Sequence, residues 1–248
     1  MTASRRPAAR KAASVARRSR RRPAGERTLA AALGSLGWPA SSVERLLAEA
    51  EPAAFAAGRV IYREGSPARR LYWIVDGVAR LSLRGSLGHR VPLSLARPGA
   101  LLGRGLVASG RRLDSAIAFT AVRALSIEAG RFDEILGGLP PDVGRRTEQG
   151  SLADHSRTLV RTVRLLTQDD LGRLALALVD AADGLAAVAP STRSVRLRIG
   201  ADDLADIAGV APAGVPRVLG ELVARGLVRR RGRDLFLRVR GLLELCGA

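Results

Sequence analysis

Cysteine is almost absent: Cys246 is the only one in 248 residues. One cysteine rules out an internal disulfide, a CxxC zinc site and an iron–sulfur cluster held within one chain. It fits a reducing cytoplasm. Histidine is nearly as scarce, with His89 and His155 the only two, so a haem would have to take one of these as its axial ligand. No uninterrupted apolar run is long enough to span a bilayer. There is no Ser/His/Asp set, no metal-ligand cluster and no phosphate loop: the run Gly103-Arg104-Gly105 is not continued by G-K-[ST]. These absences argue against an enzyme, a membrane protein and a resident cofactor.

Lysine occurs once, at Lys11, so arginine makes up nearly all of the 41 basic residues behind a net charge of +18. Arginine and alanine without lysine can reflect a GC-rich genome, so where the charge lies says more than its size. Residues 1–27 hold ten basic residues and one acidic one, Glu26. That stretch has almost no large apolar residue and cannot offset its chain entropy by burial, so it is expected to be a disordered basic tail. Such an arm adds nonspecific DNA affinity; a solvated tail or a start codon placed too far upstream are the alternatives. Hydrophobic residues make up 47% of the chain, enough for two modest cores.

The patterning divides the remainder. Thr28 to Leu36 and Ser41 to Ala50 read as helices, with Ser41 and Glu44 at capping-box spacing. From Phe55 to Ile127, short apolar runs alternate with turn residues every eight to twelve positions, the signal of an antiparallel sandwich or barrel. Phe132 to Leu136 suggests a short helix. Pro140-Pro141 opens a long helix from Asp142 to about Gln168. Along it Leu152, Leu159 and Leu166 recur every seven residues, with Ser156 and Val163 between them, a heptad seam of the kind that pairs helices. The same stripe could instead pack on the chain's own sheet. Asp169-Asp170 reads as a break, Leu171 to Ala182 as a helix with Leu174, Leu178 and Val179 inward, Gly184 to Ser194 as a loop, and Val195 to Ile199 as a strand.

Asp202 to Ala208 is a short helix with Leu204 and Ile207 inward, ended by Gly209, which turns the chain at no steric cost. A second helix carries Val215, Val218, Leu219 and Leu222 at helical spacing. Gly226 ends it, and Leu227 to Arg230 and Leu235 to Val239 read as strands around Arg231-Gly232-Arg233-Asp234. Helix, turn, helix and hairpin in this order make a winged helix-turn-helix, which sets its second helix in the DNA major groove. The hairpin carries Arg229, Arg230, Arg231 and Arg233, suited to phosphate. Pro212 suits a first helical turn, and Pro216 is expected to remove a backbone bond and kink or delay the helix.

The order small barrel, long helix, winged helix-turn-helix resembles the CRP/FNR superfamily of bacterial transcription regulators over roughly Phe55 to Val239. The residues that carry the resemblance are Gly58-Arg59-Val60-Ile61-Tyr62-Arg63-Glu64-Gly65, Leu71-Tyr72-Trp73-Ile74-Val75-Asp76-Gly77-Val78, Pro98-Gly99, Leu102-Gly103, Ser115-Ala116 and Gly172-Arg173-Leu174. The resemblance implies an α+β chain in four parts: the tail 1–27, a sensor domain 28–140 built on a jelly-roll-like antiparallel β-barrel, a dimerisation helix 141–168 and a DNA-binding domain 169–248. It implies a homodimer joined through Leu152, Leu159, Val163 and Leu166, a two-fold symmetric operator, RNA polymerase as a further partner, and a small effector of unknown identity in a pocket containing Gly103, Arg104, Asp114, Ser115, Ala116 and Thr158.

Two departures bear on function. Members that bind cyclic nucleotide carry Glu for the ribose and Arg for the phosphate, whereas this chain has Arg104 and Asp114 at those places. A buried carboxylate facing a phosphodiester repels it, so cyclic-nucleotide binding of the usual kind is not expected. Three arrangements stay open: Arg104 pairs with Asp114 across a closed pocket, which is the preferred reading; Arg111 or Arg112 supplies a cation; or Arg104 holds an acidic ligand. In the reading helix, the usual polar start is replaced by Ala211-Pro212-Ala213-Gly214, leaving Arg217 as the residue able to grip a guanine edge. Its alternatives are a phosphate contact or an ion pair with Glu221. The competing function is a degenerate dimeric protein-interaction module with weak nonspecific DNA binding.

Overall fold

The computed structural model describes residues 23–85, 90–105, 107–185 and 195–247. Most of the basic tail, His89 and most of the expected loop 184–194 lie outside the described residues.

Two helices come first, α1 (Ala24–Ser35) and α2 (Ala40–Glu49). The expected capping box does not form. Pro39 stands at the N-cap of α2, so the helix begins one residue before Ser41 and leaves that hydroxyl inside the first turn. The fixed φ of proline favours this early start.

The sensor strands are β1 (Glu51–Phe55), β2 (Val60–Tyr62), β3 (Arg70–Asp76), β4 (Ala79–Arg84), β5 (Arg90–Ala96), β6 (Leu101–Leu102), β7 (Val107–Ala108), β8 (Arg111–Arg112), β9 (Ser115–Ala118) and β10 (Val122–Glu128). They form antiparallel sheets in the orders β1-β10-β3-β6 and β2-β9-β4-β5, with β7-β8 as a small ribbon. The arrangement is two facing sheets rather than a closed barrel. Strand β3 explains the unbroken run Leu71 to Val75. Tyr72 and Ile74 pack between the sheets, while Leu71, Trp73 and Val75 pack under the helices. A strand covered on both faces loses its polar alternation. Strand β1, with two alanines and a proline, lacks any such pattern and falls outside the expected sheet.

A short helix α3 (Ala129–Gly137) leads to the long helix α4 (Pro141–Thr167). Asp169 then caps α5 (Asp170–Leu185): its Oδ1 accepts the Gly172 N–H at 2.8 Å. The C-terminal unit adds β11 (Val195–Arg198), α6 (Ala201–Ala208), a 3-10 turn Pro212–Gly214, α7 (Val215–Ala224), β12 (Val228–Arg231), β13 (Asp234–Leu237) and α8 (Val239–Leu245). Its sheet order is β11-β13-β12. Helix α8 replaces the strand end expected at Val239. It buries Leu242 and Cys246, whose thiol donates to the Gly172 carbonyl at 3.5 Å.

The two units touch. Leu95 and Phe119 of the sensor pack on the C-terminal core, and Arg80 pairs with Asp206. Arg161 of α4 bonds Asp180 of α5, the Leu93 carbonyl of β5 at 2.8 Å and the Ile207 carbonyl of α6 at 3.3 Å. Burial raises the Asp180 carboxyl above its usual range, against the opposing pull of Arg161.

Candidate nucleic-acid interface and sensor pocket

The helix pair follows from two local choices. Gly209 takes φ +64 after α6, and the chain bends by 115° between α6 and the segment Pro212–Ala224, within the range of helix-turn-helix units. Val215, Val218 and Leu222 are buried and hold α7 to the core. Its opposite face presents Arg217, which is exposed. The alternative of an ion pair with Glu221 does not form; Arg225 takes that carboxylate at 2.5 Å. Ala213 is exposed and Gly214 half-buried in the 3-10 turn ahead of α7. The regular helix starts only at Val215, so Pro216 falls in its first turn. There its missing N–H breaks no helical bond. The delay is observed; the lost bond is not.

The hairpin closes more tightly than its composition suggests. Arg231 and Asp234 form its last rung, leaving Gly232 and Arg233 as the tip. Arg229 lies 5.0 Å over the Phe236 ring, and Arg230 donates to the Gly232 carbonyl. Asp234 is taken by Arg196 at 2.7 Å. Arg231 and Arg233 are exposed and form no ion pair with other described residues. The edge of the unit is therefore cationic, with few acids to neutralise it.

In the sensor, Arg104 and Asp114 do not meet. Arg104 turns outward to Asp133 of α3 at 2.7 Å and lies over the Phe132 ring. Asp114 turns inward and accepts the Tyr62 hydroxyl at 3.1 Å. The interior cation is Arg112, only 3% exposed. It sits 3.9 Å from the Tyr62 ring centroid and donates to the carbonyls of Gly103 (2.9 Å) and Arg70. Of the three open arrangements, the Arg104–Asp114 pair does not form, and of the two neighbouring arginines it is Arg112 that lies inside. Arg111 points outward and donates to the Gly65 carbonyl. Alternation along β8 decides between the two arginines, since successive side chains face opposite ways.

Burial pushes the Asp114 carboxyl up, opposed by the Tyr62 hydrogen bond and Arg112. Burial and then Asp114 push Tyr62 well above its ordinary value, so Tyr62 stays a neutral donor. Gly103 has φ +90, and a Cβ there would collide with Arg112. Ser115 accepts the Glu64 N–H at 3.0 Å, and Ala116 is fully buried. Thr158 is half-buried on α4. The expected members thus scatter: Gly103 and Asp114 border the Arg112 site, while Arg104 leaves it.

The long helix presents its stripe to solvent. Leu152, Leu159, Val163 and Leu166 are 66%, 63%, 59% and 61% exposed, and Val160 extends the patch. Packing on the chain's own sheet is therefore excluded. His155 on the same helix is seated against Gly105. Among the described residues, no three His, Cys, Asp or Glu side chains converge as metal ligands.

Known proteins share this arrangement. Residues 52–137 match the family model of the cyclic nucleotide-binding domain, and residues 172–245 that of the Crp-like helix-turn-helix domain. The transcriptional regulator SdrP of Thermus thermophilus is 32% identical over 79% of this chain and 94% of its own length. The CRP-like cAMP-activated global transcriptional regulator of Mycobacterium tuberculosis is 23% identical over 79% of this chain and 88% of its own. Among solved structures, a CRP/FNR family transcriptional regulator from Thermus thermophilus superposes with a TM-score of 0.59 at 29% identity, covering 80% of this chain and 99% of that one.

Proposed function

The chain belongs to the CRP/FNR family of transcription regulators, and from that premise we propose that it works as a homodimer on a two-fold symmetric operator without using cAMP in the usual way. It is a DNA-binding regulator and not an enzyme. The observation that carries the dimer is the exposed stripe Leu152, Leu159, Val163 and Leu166 on one face of α4. Two such helices side by side bury the stripe and relate two reading heads by a dyad, which palindromic DNA shares.

In each head Arg217 reads a base, Ala213 and Gly214 allow close approach of the backbone, and Arg229, Arg230, Arg231 and Arg233 grip phosphate. Regulation then proceeds through contact with RNA polymerase or by blocking its access to the same DNA, in the cytoplasm.

In the sensor, Arg112 and the Tyr62–Asp114 pair occupy the interior beside Gly103. A cyclic phosphate entering there meets a buried carboxylate and a cation already committed to two carbonyls. This separates the chain from the M. tuberculosis relative, whose name states cAMP activation. The regulator then works either without an effector or with one of different chemistry.

The test is selection of binding sites from random duplex DNA with the full chain. Enrichment of a palindrome, lost on Arg217→Ala, is expected. Salt-sensitive binding with no enriched sequence would leave only a protein-interaction module. Millimolar cAMP is expected to leave the thermal transition in place, and a shift of several degrees refutes that part.

A further inference from the structure

The reading head is joined to the rest of the chain at one helix break. Helix α4 ends at Thr167 and α5 starts at Asp170, with Gln168 extended between them (ψ 153). Such a break turns about a few backbone bonds, so contacts elsewhere decide where the head points. Those contacts come from strands β4 and β5 of the sensor and the residues just beyond. Arg80 of β4 pairs with Asp206 of α6. Pro92 of β5 lies so close to Gly209 that a Cβ there would stand 3.3 Å from its ring. Arg97 donates to the Asp180 carbonyl of α5 at 3.1 Å.

Two of these contacts fall on the helix-turn-helix itself, and neither covers its reading face. Asp206 is on α6, and Gly209 begins the turn that leads through Pro212–Gly214 into α7. Arg217, Arg231 and Arg233 stay exposed. The sensor turn at Phe119 and Thr120 faces Pro216 and Arg233 across a cleft of about 590 Å³ rather than filling it. Within the ion pair the arginine is the inner partner: its side chain is 13% exposed, against 55% for Asp206. Arg80 is therefore placed to hold α6 and not to touch DNA. A head held in this pose gives up little orientational freedom on binding, and preorganisation of this kind raises affinity.

We infer that Arg80 is a positioning residue for DNA reading: through Asp206 it fixes the direction of α6, and with it α7, so that the two heads of a dimer meet their half-sites at one spacing. This rests on the homodimer and two-fold operator reading. Arg80 differs from Arg217 and the hairpin arginines in its chemistry, because it neutralises a carboxylate of its own chain and no phosphate. Fixed heads discriminate between spacings. One base pair inserted at the centre of a palindrome turns one half-site by about 35° relative to the other. Heads free to swivel follow that change, and fixed ones do not.

The experiment compares two duplexes, the selected palindrome and the same palindrome with one central base pair inserted, by fluorescence anisotropy with the full chain. The affinity ratio between them should fall about tenfold in Arg80→Glu, which sets a like charge against Asp206 and empties the fixed pose. The reversed pair, Arg80→Glu with Asp206→Arg, should recover most of the ratio, which a variant damaged in its fold cannot do. Asp206→Asn supplies a second measurement from the exposed partner. It removes an acid near DNA, so charge alone predicts tighter binding to both duplexes with the ratio unchanged; the positioning role predicts a lower ratio. Arg80→Ala should leave the slope of log affinity against log salt unchanged, since no phosphate contact is lost. A ratio that stays at the parent value in Arg80→Glu and Asp206→Asn overturns the inference. So does a shallower salt slope in Arg80→Ala, or tighter palindrome binding in Arg80→Glu. If no palindrome is selected, the operator reading fails and the positioning role falls with it; a selected palindrome with an unmoved ratio defeats the positioning role alone.

Discussion

Arg161 and Asp180 form an ion pair on which three parts of the molecule converge: the long helix carries the arginine, α5 the carboxylate, and the same guanidinium reaches the carbonyls of Leu93 in the sensor and Ile207 in the reading head. Removing the cation leaves a buried carboxylate unpaired, which typically costs about 3–5 kcal/mol. Arg161→Met should therefore lower stability in urea by about that amount and separate the unfolding of the two units. Adding Asp180→Leu should recover much of the loss. A single variant as stable as the parent would show that the pair does not hold the units together.

The Asp114 carboxyl is raised above its usual range, and the sign of its pH effect follows. The folded state binds the proton more tightly than the unfolded one. The associated stability is fully present below the unfolded pKa and is lost as pH rises through the folded value. Asp114→Asn keeps an acceptor for Tyr62 without the charge. It should match or exceed the parent at neutral pH, and the difference should vanish as pH falls below the unfolded carboxylate pKa. Urea titrations across that range check this, and a variant less stable at neutral pH contradicts it.

Arg217 and the hairpin arginines should fail differently on DNA. Arg217→Ala should cost about 1–3 kcal/mol and relax preference at one base position in each half-site. Arg231→Ala and Arg233→Ala should weaken all sequences alike. Each should reduce the magnitude of the slope of log affinity against log salt by about 0.9 for every phosphate that a chain no longer neutralises. Fluorescence anisotropy over a salt series separates the two behaviours.

Leu159→Glu puts a charge in the middle of the exposed stripe. Sedimentation should then show a monomer where the parent is a dimer, with little change in the far-ultraviolet spectrum. Affinity for a full palindrome should fall towards that for a half-site. A variant that still sediments as a dimer would place the interface elsewhere.

The elements with local signals were legible before any fold was known. The run Leu71 to Val75 marks a doubly covered strand, and Leu174, Leu178, Leu204 and Ile207 carry their burial in their spacing. Strand β1 and helix α8 carry no comparable signal: Pro52 with its neighbouring alanines, and Gly241, leave no alternating or helical apolar pattern. In the sensor, Arg111 and Arg112 are identical in sequence terms. Their roles differ because one faces Gly65 and the other Tyr62, roughly fifty residues away along the chain. Arg161 is a surface arginine by pattern, and its three acceptors are supplied by other elements. Local periodicity reports which face is buried, not which distant partner it finds.

Cys246 gives the protein a built-in clock. Its thiol is buried beneath α8, held against the Gly172 carbonyl, and pushed up in pKa mainly by that burial. Because it is the only sulfhydryl in the chain, alkylation proceeds only when the last helix lifts from α5. The rate of labelling, followed with and without operator, then counts those openings without any engineered reporter.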